Sequence, residues 1–277
     1  MRVLITGGAG YVGSMLVPQL LDDGHEVTVY DACYFGSSFL PLNHGRLRLV
    51  QADIRDLKSF TEAVHGQNAV IHLACISNDA SFELDEELST SVNLDAFLPL
   101  VLASKAAGVE RFIYASSSSV YGVSEERDVK EDHELRPLTL YNKFKGECEP
   151  LLLNEISSDF VGVVIRPATL CGYAPRQRLD LSVNILTNHA INKGEIRVFG
   201  GSQLRPNLHV RDMVRAYQLL LSVEATKIQG EIFNCGYQNM SIRQIAEVVR
   251  ERVGLRQADG ADIQILTEAT SDLRSYH

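Results

Sequence analysis

Tyr141 and Lys145 stand four residues apart in the run Tyr141-Asn142-Lys143-Phe144-Lys145, a spacing that brings both onto one face of a helix. A free phenol has a pKa of ~10 and is a poor base at neutral pH. An ammonium one turn away favours the phenolate, which can take the proton of an alcohol while a hydride leaves the same carbon. Upstream lies Ser116-Ser117-Ser118-Ser119-Val120-Tyr121-Gly122. A hydroxyl at the mouth of a parallel strand sits where ligands bind and can hydrogen-bond the reacting oxygen. Each feature alone has a plain reading, a surface helix pair or a serine-rich loop. Their coincidence is what points to redox chemistry on an alcohol.

A departing hydride needs an acceptor, and the N-terminal segment is suited to hold one. The run Gly7-Gly8-Ala9-Gly10-Tyr11-Val12-Gly13 has the spacing GxxGxxG between a strand and a helix. Gly7 turns the chain, Gly10 lets the backbone approach a pyrophosphate, and Gly13 lets the helix pack close to the sheet. The helix N-terminus then offers free N–H groups to phosphate. Asp31, eighteen residues after Gly13, ends the second strand. An acid there accepts the ribose hydroxyls and repels a 2′-phosphate, which selects NAD over NADP. Asp53, in Asp53-Ile54 at the end of the third strand, contacts adenine in one reading and caps the following helix in the other.

These groups need a scaffold that gathers strand ends. Short apolar runs at residues 2–6, 26–30, 46–50, 69–73, 111–115 and 161–166 read as strands buried on both faces. Longer stretches such as 94–107 and 142–156 read as helices between them. The alternation predicts an α/β fold with a Rossmann-type, doubly wound parallel sheet. Pro18 falls inside the first helix, where it removes a hydrogen bond and bends the axis. After Arg166 the rhythm changes: the stretches 167–181 and 200–206 read as long loops and arginines gather. The expected division is a dinucleotide-binding domain over 1–166, to which 207–237 returns. A smaller C-terminal substrate-binding lobe is expected from 167–206 and 238–277.

Composition narrows the partners. The chain has 277 residues, with 26 Lys+Arg against 35 Asp+Glu and a net charge of −9, which argues against a nucleic-acid-coating surface. Hydrophobic residues make up 45%, too many for a disordered chain. No apolar run is long enough to span a membrane, and MRVLITGGAG is a strand entering a glycine loop rather than a cleavable leader. The five cysteines, Cys33, Cys75, Cys148, Cys171 and Cys235, form no CxxC pair. A reduced, cytoplasmic protein without disulfides or a metal cluster is expected.

The motifs together resemble the extended short-chain dehydrogenase/reductases of the nucleotide-sugar epimerase/dehydratase group. The likeness is carried by GGAGYVG, Asp31, Asp53-Ile54, His72-Leu73-Ala74, Asn93, SSSSVYG, YNKFK, Arg166-Pro167 and Leu208-His209-Val210-Arg211-Asp212. It implies tightly held NAD, a nucleoside-diphosphate sugar substrate and a catalytic triad of Ser117, Tyr141 and Lys145. It adds Tyr11, Val12, Ile54, Leu73, Ala74, Cys75, Asn93, Ala115 and Pro167 to Gly7, Gly10, Gly13, Asp31 and Asp53 around the cofactor, with Tyr141 and Lys145 also touching it. Members that eliminate water carry Asp-Glu at the two positions after the catalytic hydroxyl. Decarboxylating members carry Glu, and C3/C5 epimerases Cys, at the second of these. Here Ser118 and Ser119 occupy them, as in 4-epimerases. Reversible oxidation at sugar C4 is the expectation, with a 4-keto-sugar reductase as the alternative and a non-catalytic NAD-binding sensor behind both.

On the substrate side, Arg176, Arg178, Arg205 and Arg211 collect in an acidic chain, and arginine grips a diphosphate bidentately; a solvated loop with scattered ion pairs explains any one of them equally well. The resemblance puts Ser117, Ser118, Arg178, Arg205 and Asn184 on the substrate, while Phe199 packs on its base or in the core. It assigns His209 no catalysis. Thr169 stands where epimerases have Asn. The sequence ends soon after Ala269, where the group has an arginine for which Arg274 would substitute, so a shortened C-terminal lobe is expected. The helices at 94–107 and 142–156 resemble the pair that forms a homodimeric four-helix bundle.

Overall fold

The computed structural model describes residues 1–123, 129–256 and 263–269. In chain order, β1 (Arg2–Thr6) leads into α1 (Gly13–Asp22), β2 (Glu26–Asp31), β3 (Leu47–Gln51), α2 (Leu57–Val64) and β4 (Ala69–His72). Two short helices, α3 (Asp79–Phe82) and α4 (Glu86–Thr90), precede α5 (Phe97–Ala106), β5 (Arg111–Ala115), α6 (Leu140–Leu153) and β6 (Val161–Pro167). Then follow β7 (Thr169–Cys171), α7 (Ser182–Lys193), β8 (Glu195–Phe199), β9 (Leu204–His209) and α8 (Val210–Ser222). The remainder is β10 (Ile232–Cys235), β11 (Gln238–Ser241), α9 (Ile242–Gly254) and β12 (Gln264–Glu268).

Seven strands form one sheet in the order β10-β6-β5-β4-β1-β2-β3, and every neighbouring pair is parallel. This is the doubly wound Rossmann-type arrangement expected from the alternating pattern. The inner strands are apolar on both faces because helices cover both sides. One core lies between the sheet and α1 and α8, the other between the sheet and α2, α5 and α6. The strand order reverses between β1 and β4, and the crevice at their carboxyl ends is where such sheets bind ligands.

Three details differ from the sequence reading. Stretches 167–181 and 200–206, read as loops, contribute β7 and β9, which form a separate three-stranded sheet with β11 in the order β11-β9-β7. Parallel β8 and β12 form a third sheet against α7 and α9, over their own small core of Leu186, Ile196, Val198, Ile245 and Val249. These segments are short and mixed in polarity, so their periodicity is weak. The helix expected from residue 94 is interrupted: Ser91–Asp95 form a π turn before α5 begins at Phe97. Pro18 remains within α1. No helix among the described residues is long and apolar enough to cross a membrane, and no cluster of metal-ligating side chains occurs among them.

His72 ends β4 inside the core, against the rings of Phe97, Phe112 and Tyr114. Its Nδ1 lies 2.9 Å from Thr6 Oγ1. Burial, reinforced by the charge of Lys145, pushes its pKa down to about 3. The folded protein therefore refuses a proton that the unfolded chain accepts below pH ~6.5. Stability should fall as pH drops through that value towards 3, by up to about 1.4 kcal/mol per unit from this group. Chemical denaturation of wild type and His72→Asn between pH 7 and pH 5 checks this, with a flatter profile expected for the variant.

Candidate functional site

The glycine loop folds between β1 and β4 because two positions exclude a side chain. Gly7 has φ +71°, and a Cβ there would lie 2.7 Å from the Ala74 amide nitrogen. A Cβ on Gly13 would collide with the Gly8 carbonyl. That constraint comes from the loop turning back on itself, not from the helix-to-sheet contact anticipated for Gly13. Gly10 meets only the Gly7 oxygen at 3.1 Å. Tyr11 and Val12 carry the loop into α1, whose amino end faces the crevice.

Asp31 ends β2 with its carboxylate turned onto this loop. Oδ2 accepts the Ala9 N–H at 2.9 Å and Oδ1 the Cys33 N–H at 2.7 Å. Each oxygen retains a lone pair for a ribose hydroxyl. A glycine turn without side chains, a helix amino end and a held carboxylate suit a dinucleotide, with diphosphate over the loop and ribose at Asp31.

Other expected cofactor residues are placed differently. Asp53 is not the helix cap. Asp56 caps α2 by accepting the Ser59 N–H at 3.0 Å, whereas the Asp53 carboxylate is gripped by Arg55 at 2.6 and 2.9 Å. Those hydrogen bonds hold the Asp53 pKa below its ordinary value. The Ile54 side chain packs into the core with Phe60, so only its backbone is open to a ligand. Leu73, Ala74 and Cys75 follow β4 and flank Gly7. Asn93 clamps the next residue of that loop: its amide accepts the Ile76 N–H at 2.8 Å and donates to the Ile76 carbonyl at 3.0 Å. Pro167 ends β6 opposite Cys235.

Ser117, Tyr141 and Lys145 converge from two elements. Ser117 caps the 3-10 turn Ser118–Tyr121 that follows β5. Its hydroxyl lies 2.7 Å from Ser119 Oγ, and Ser119 in turn donates to Asn142 Oδ1 on α6. Thr139 caps α6 by accepting the Asn142 N–H. Tyr141 and Lys145 lie one turn apart on this helix. Lys145 is buried (5% exposed), donates to the Ala115 carbonyl at 2.7 Å and lies 5.2 Å from the Tyr114 ring centroid. Tyr141 is half-buried and lines a small cavity with Phe82, Leu138 and Thr139.

The next turn of the same face carries Glu149, which the sequence reading missed although it continues the four-residue spacing of Tyr141 and Lys145. Glu149 forms two hydrogen bonds with Arg166 of β6, at 2.6 and 2.9 Å, and accepts the Ser116 hydroxyl at 2.6 Å. Both charged side chains are 3% exposed. Arg166 also donates to the Tyr121 hydroxyl at 2.6 Å and to the Glu131 carbonyl. Tyr121 donates to Asn234 of β10 at 2.7 Å. Burial opposes the Arg166 charge, but Glu149 and Tyr121 outweigh it and keep its pKa above the ordinary value.

The arginines divide. Arg178 enters the crevice, donating to the Ser77 hydroxyl and carbonyl at 3.2 and 3.1 Å and pairing with Asp180. It is close enough to Tyr141 for the two to interact electrostatically. Arg176 crosses to the far side of the glycine loop. Arg205, in β9, donates to the Leu204 carbonyl, and Arg211 lies in the first turn of α8, capped by His209. Asn184 is engaged with the protein's own loops. It is buried, accepts the Gly172 N–H at 2.9 Å and donates to the Arg178 carbonyl at 2.9 Å and the Tyr11 hydroxyl at 3.3 Å. Tyr11 donates to the Gly172 carbonyl at 2.7 Å, so its side chain ties the glycine loop to the second lobe. Thr169 opens β7, Ser118 lies in the 3-10 turn, and Phe199 is exposed at the end of β8. Arg274 lies outside the described residues.

Comparison with known proteins agrees with this geometry. The model of the NAD dependent epimerase/dehydratase family matches residues 3–236. The chain is similar to a UDP-glucose 4-epimerase of Lactobacillus helveticus, 26% identical over 273 residues, covering 90% of this chain and 82% of the relative. A 3 beta-hydroxysteroid dehydrogenase/Delta 5-->4-isomerase of Mycobacterium tuberculosis is 32% identical over 230 residues, covering 79% of this chain and 59% of the relative. The structure of MoeE5 in complex with UDP-glucuronic acid and NAD superimposes with a TM-score of 0.83 at 29% identity, over 99% of this chain and 88% of that one.

The buried pair yields a stability test. Removing one partner leaves an uncompensated charge, so Glu149→Gln should cost about 3–5 kcal/mol. Glu149→Met with Arg166→Met should cost much less, because both charges leave together. Denaturant unfolding of the three proteins measures the difference.

Proposed function

The chain belongs to the NAD-dependent epimerase/dehydratase family, and from that membership we propose that it is an epimerase acting at C4 of a nucleoside-diphosphate sugar. The observation that carries this reading is Ser119. Its hydroxyl is committed to Ser117 and to Asn142, and neither it nor Ser118 brings the carboxylate or thiol that elimination, decarboxylation or C3/C5 epimerisation requires. What remains around Ser117 is a hydrogen-bonding surface for an oxygen that alternates between hydroxyl and ketone.

The proposed roles follow from the elements that hold each group. Ser117 hydrogen-bonds the C4 oxygen from the end of β5. Tyr141 takes the hydroxyl proton and later returns it. Lys145 and Arg178 bring positive charge to the phenol side of the crevice, where negative charge develops. Gly7, Gly10 and Gly13 make room for the NAD diphosphate, and Asp31 accepts its ribose hydroxyls. When bound, NAD supplies a hydride acceptor that gives the hydride back. Arg178 and Arg205 are the proposed anchors for the sugar nucleotide, because bidentate guanidinium groups match phosphate oxygens.

The division expected from the sequence is retained as part of this reading: the cofactor on the seven-stranded sheet, the sugar nucleotide held from the lobe of α7, α9 and the two small sheets. We also propose a homodimer through α5 and α6, on whose outer side Leu102 is 44% exposed. A monomeric mass in light scattering at micromolar concentration would overturn it.

Tyr141→Phe should lower turnover by roughly 10²–10⁴-fold while NAD still binds. Full activity in that variant would remove Tyr141 from the reaction. Epimerisation is tested by incubating the protein with UDP-, GDP-, CDP- and dTDP-sugars without added cofactor and identifying the products. An epimerase interconverts two sugars with no net consumption of NADH; stoichiometric NADH consumption on a 4-keto sugar would make it a reductase.

A further inference from the structure

The segment between Gly172 and Asp180 crosses the mouth of the crevice, and its contacts fall on both sides of the glycine loop. Ala174 is fully buried against Tyr11 and Val210. The Arg176 N–H donates to Ser14 Oγ at 3.3 Å, in the first turn of α1, where a diphosphate would meet the helix. On one side Arg178 holds Ser77 after β4. On the other, the Arg176 guanidinium lies 3.7 Å from the centroid of the Phe35 ring, in the loop that follows Asp31.

The Arg176–Phe35 contact has no evident purpose in the protein alone. Phe35 is 70% exposed, so the stack buries little of the ring. Among the described residues Arg176 has no carboxylate within ion-pair distance, and its one side-chain hydrogen bond goes to the Gln177 carbonyl at 3.2 Å. Most of its N–H donors are uncommitted. The Phe35 loop is itself well defined, since Cys33 (φ +57°) donates its N–H to Asp31 and Gly36 donates to the Cys33 carbonyl at 2.8 Å. A preset loop thus presents a ring over which a guanidinium from the 172–180 segment sits, beside the carboxylate suited to the adenosine ribose.

We propose that Arg176, held over the Phe35 ring, is a further dinucleotide-holding residue that closes the adenosine end of the groove from the 172–180 segment and retards cofactor release. The inference rests on the NAD reading of the glycine loop and extends it. A guanidinium there offers its free donors to the anionic diphosphate and ribose oxygens, and the aromatic ring holds it in place. Release then requires the 172–180 segment to lift from Phe35. Retention through many turnovers suits a reaction in which the hydride leaves and returns within one active site.

The test compares wild type, Arg176→Gln, Phe35→Ala and the double variant, each loaded with NAD. Dissociation is followed after dilution, and ADP-ribose affinity is measured by calorimetry on the stripped proteins. Each single variant should release NAD about two- to fivefold faster, the scale of an exposed cation–π contact. The double variant should be no faster than the quicker single, because the two side chains act as one unit. ADP-ribose should weaken by the same factor as NAD, since the contact is at the adenosine end. Unchanged release in both single variants, or a thermal midpoint of stripped Arg176→Gln that falls far enough to explain its faster release, would overturn the proposal. A wild-type protein that binds no NAD would overturn the underlying cofactor reading instead.

Discussion

Glu149 and Arg166 set a carboxylate and a guanidinium against each other where water barely reaches, and the catalytic side of the molecule is arranged around that pair. Two buried charges are tolerated only when each finds a partner and further hydrogen bonds. Here the requirement draws in Ser116 from the end of β5, Tyr121 from the 3-10 turn and Asn234 from β10. The pair therefore fixes α6 against three adjacent strands. Tyr141 and Lys145, on earlier turns of the same helix, are held at a set height above the strand ends, and Ser117 is the neighbour of a residue the pair itself binds. An apolar contact of equal volume would let α6 slide; a bidentate ion pair fixes its register.

The second constraint is the close approach of backbone to backbone at the switch point of the sheet. The glycine turn after β1 lies so near the chain after β4 that no side chain fits at Gly7. The same loop reaches Asp31 through the Ala9 N–H and the second lobe through the Tyr11 hydroxyl. Four segments distant in sequence thus share one short turn. The dinucleotide crevice and the crossing segment 172–180 belong to a single hydrogen-bonded assembly.

Several residues expected as ligands also hold the protein's own loops. Asn184 and Asn93 commit their amides to backbone groups of loops that border the crevice. Asp53 is held by Arg55, and Ile54 faces the core. A motif records that a residue type stands at a position; which neighbouring groups its polar atoms meet depends on segments that range from two positions away, as for Asp53, to 173, as for Asn184 and Tyr11.

The sequence by itself determined the alternation of buried strands and amphipathic helices, and hence the parallel sheet. It determined the glycine turn at the end of β1, Asp31 at the tip of β2 and the one-turn spacing of Tyr141 and Lys145. These are local facts: period, turn chemistry and helical spacing act within a few residues and need no knowledge of distant partners. It left the short strands after residue 166 unread, because their periodicity is weak and their pairing comes from elsewhere in the chain. Only the tertiary structure decided that Glu149 pairs with Arg166 and that Arg176 meets Phe35. A hydrogen bond or ion pair between segments far apart in sequence is a property of their juxtaposition, and the topology of the sheet sets that juxtaposition.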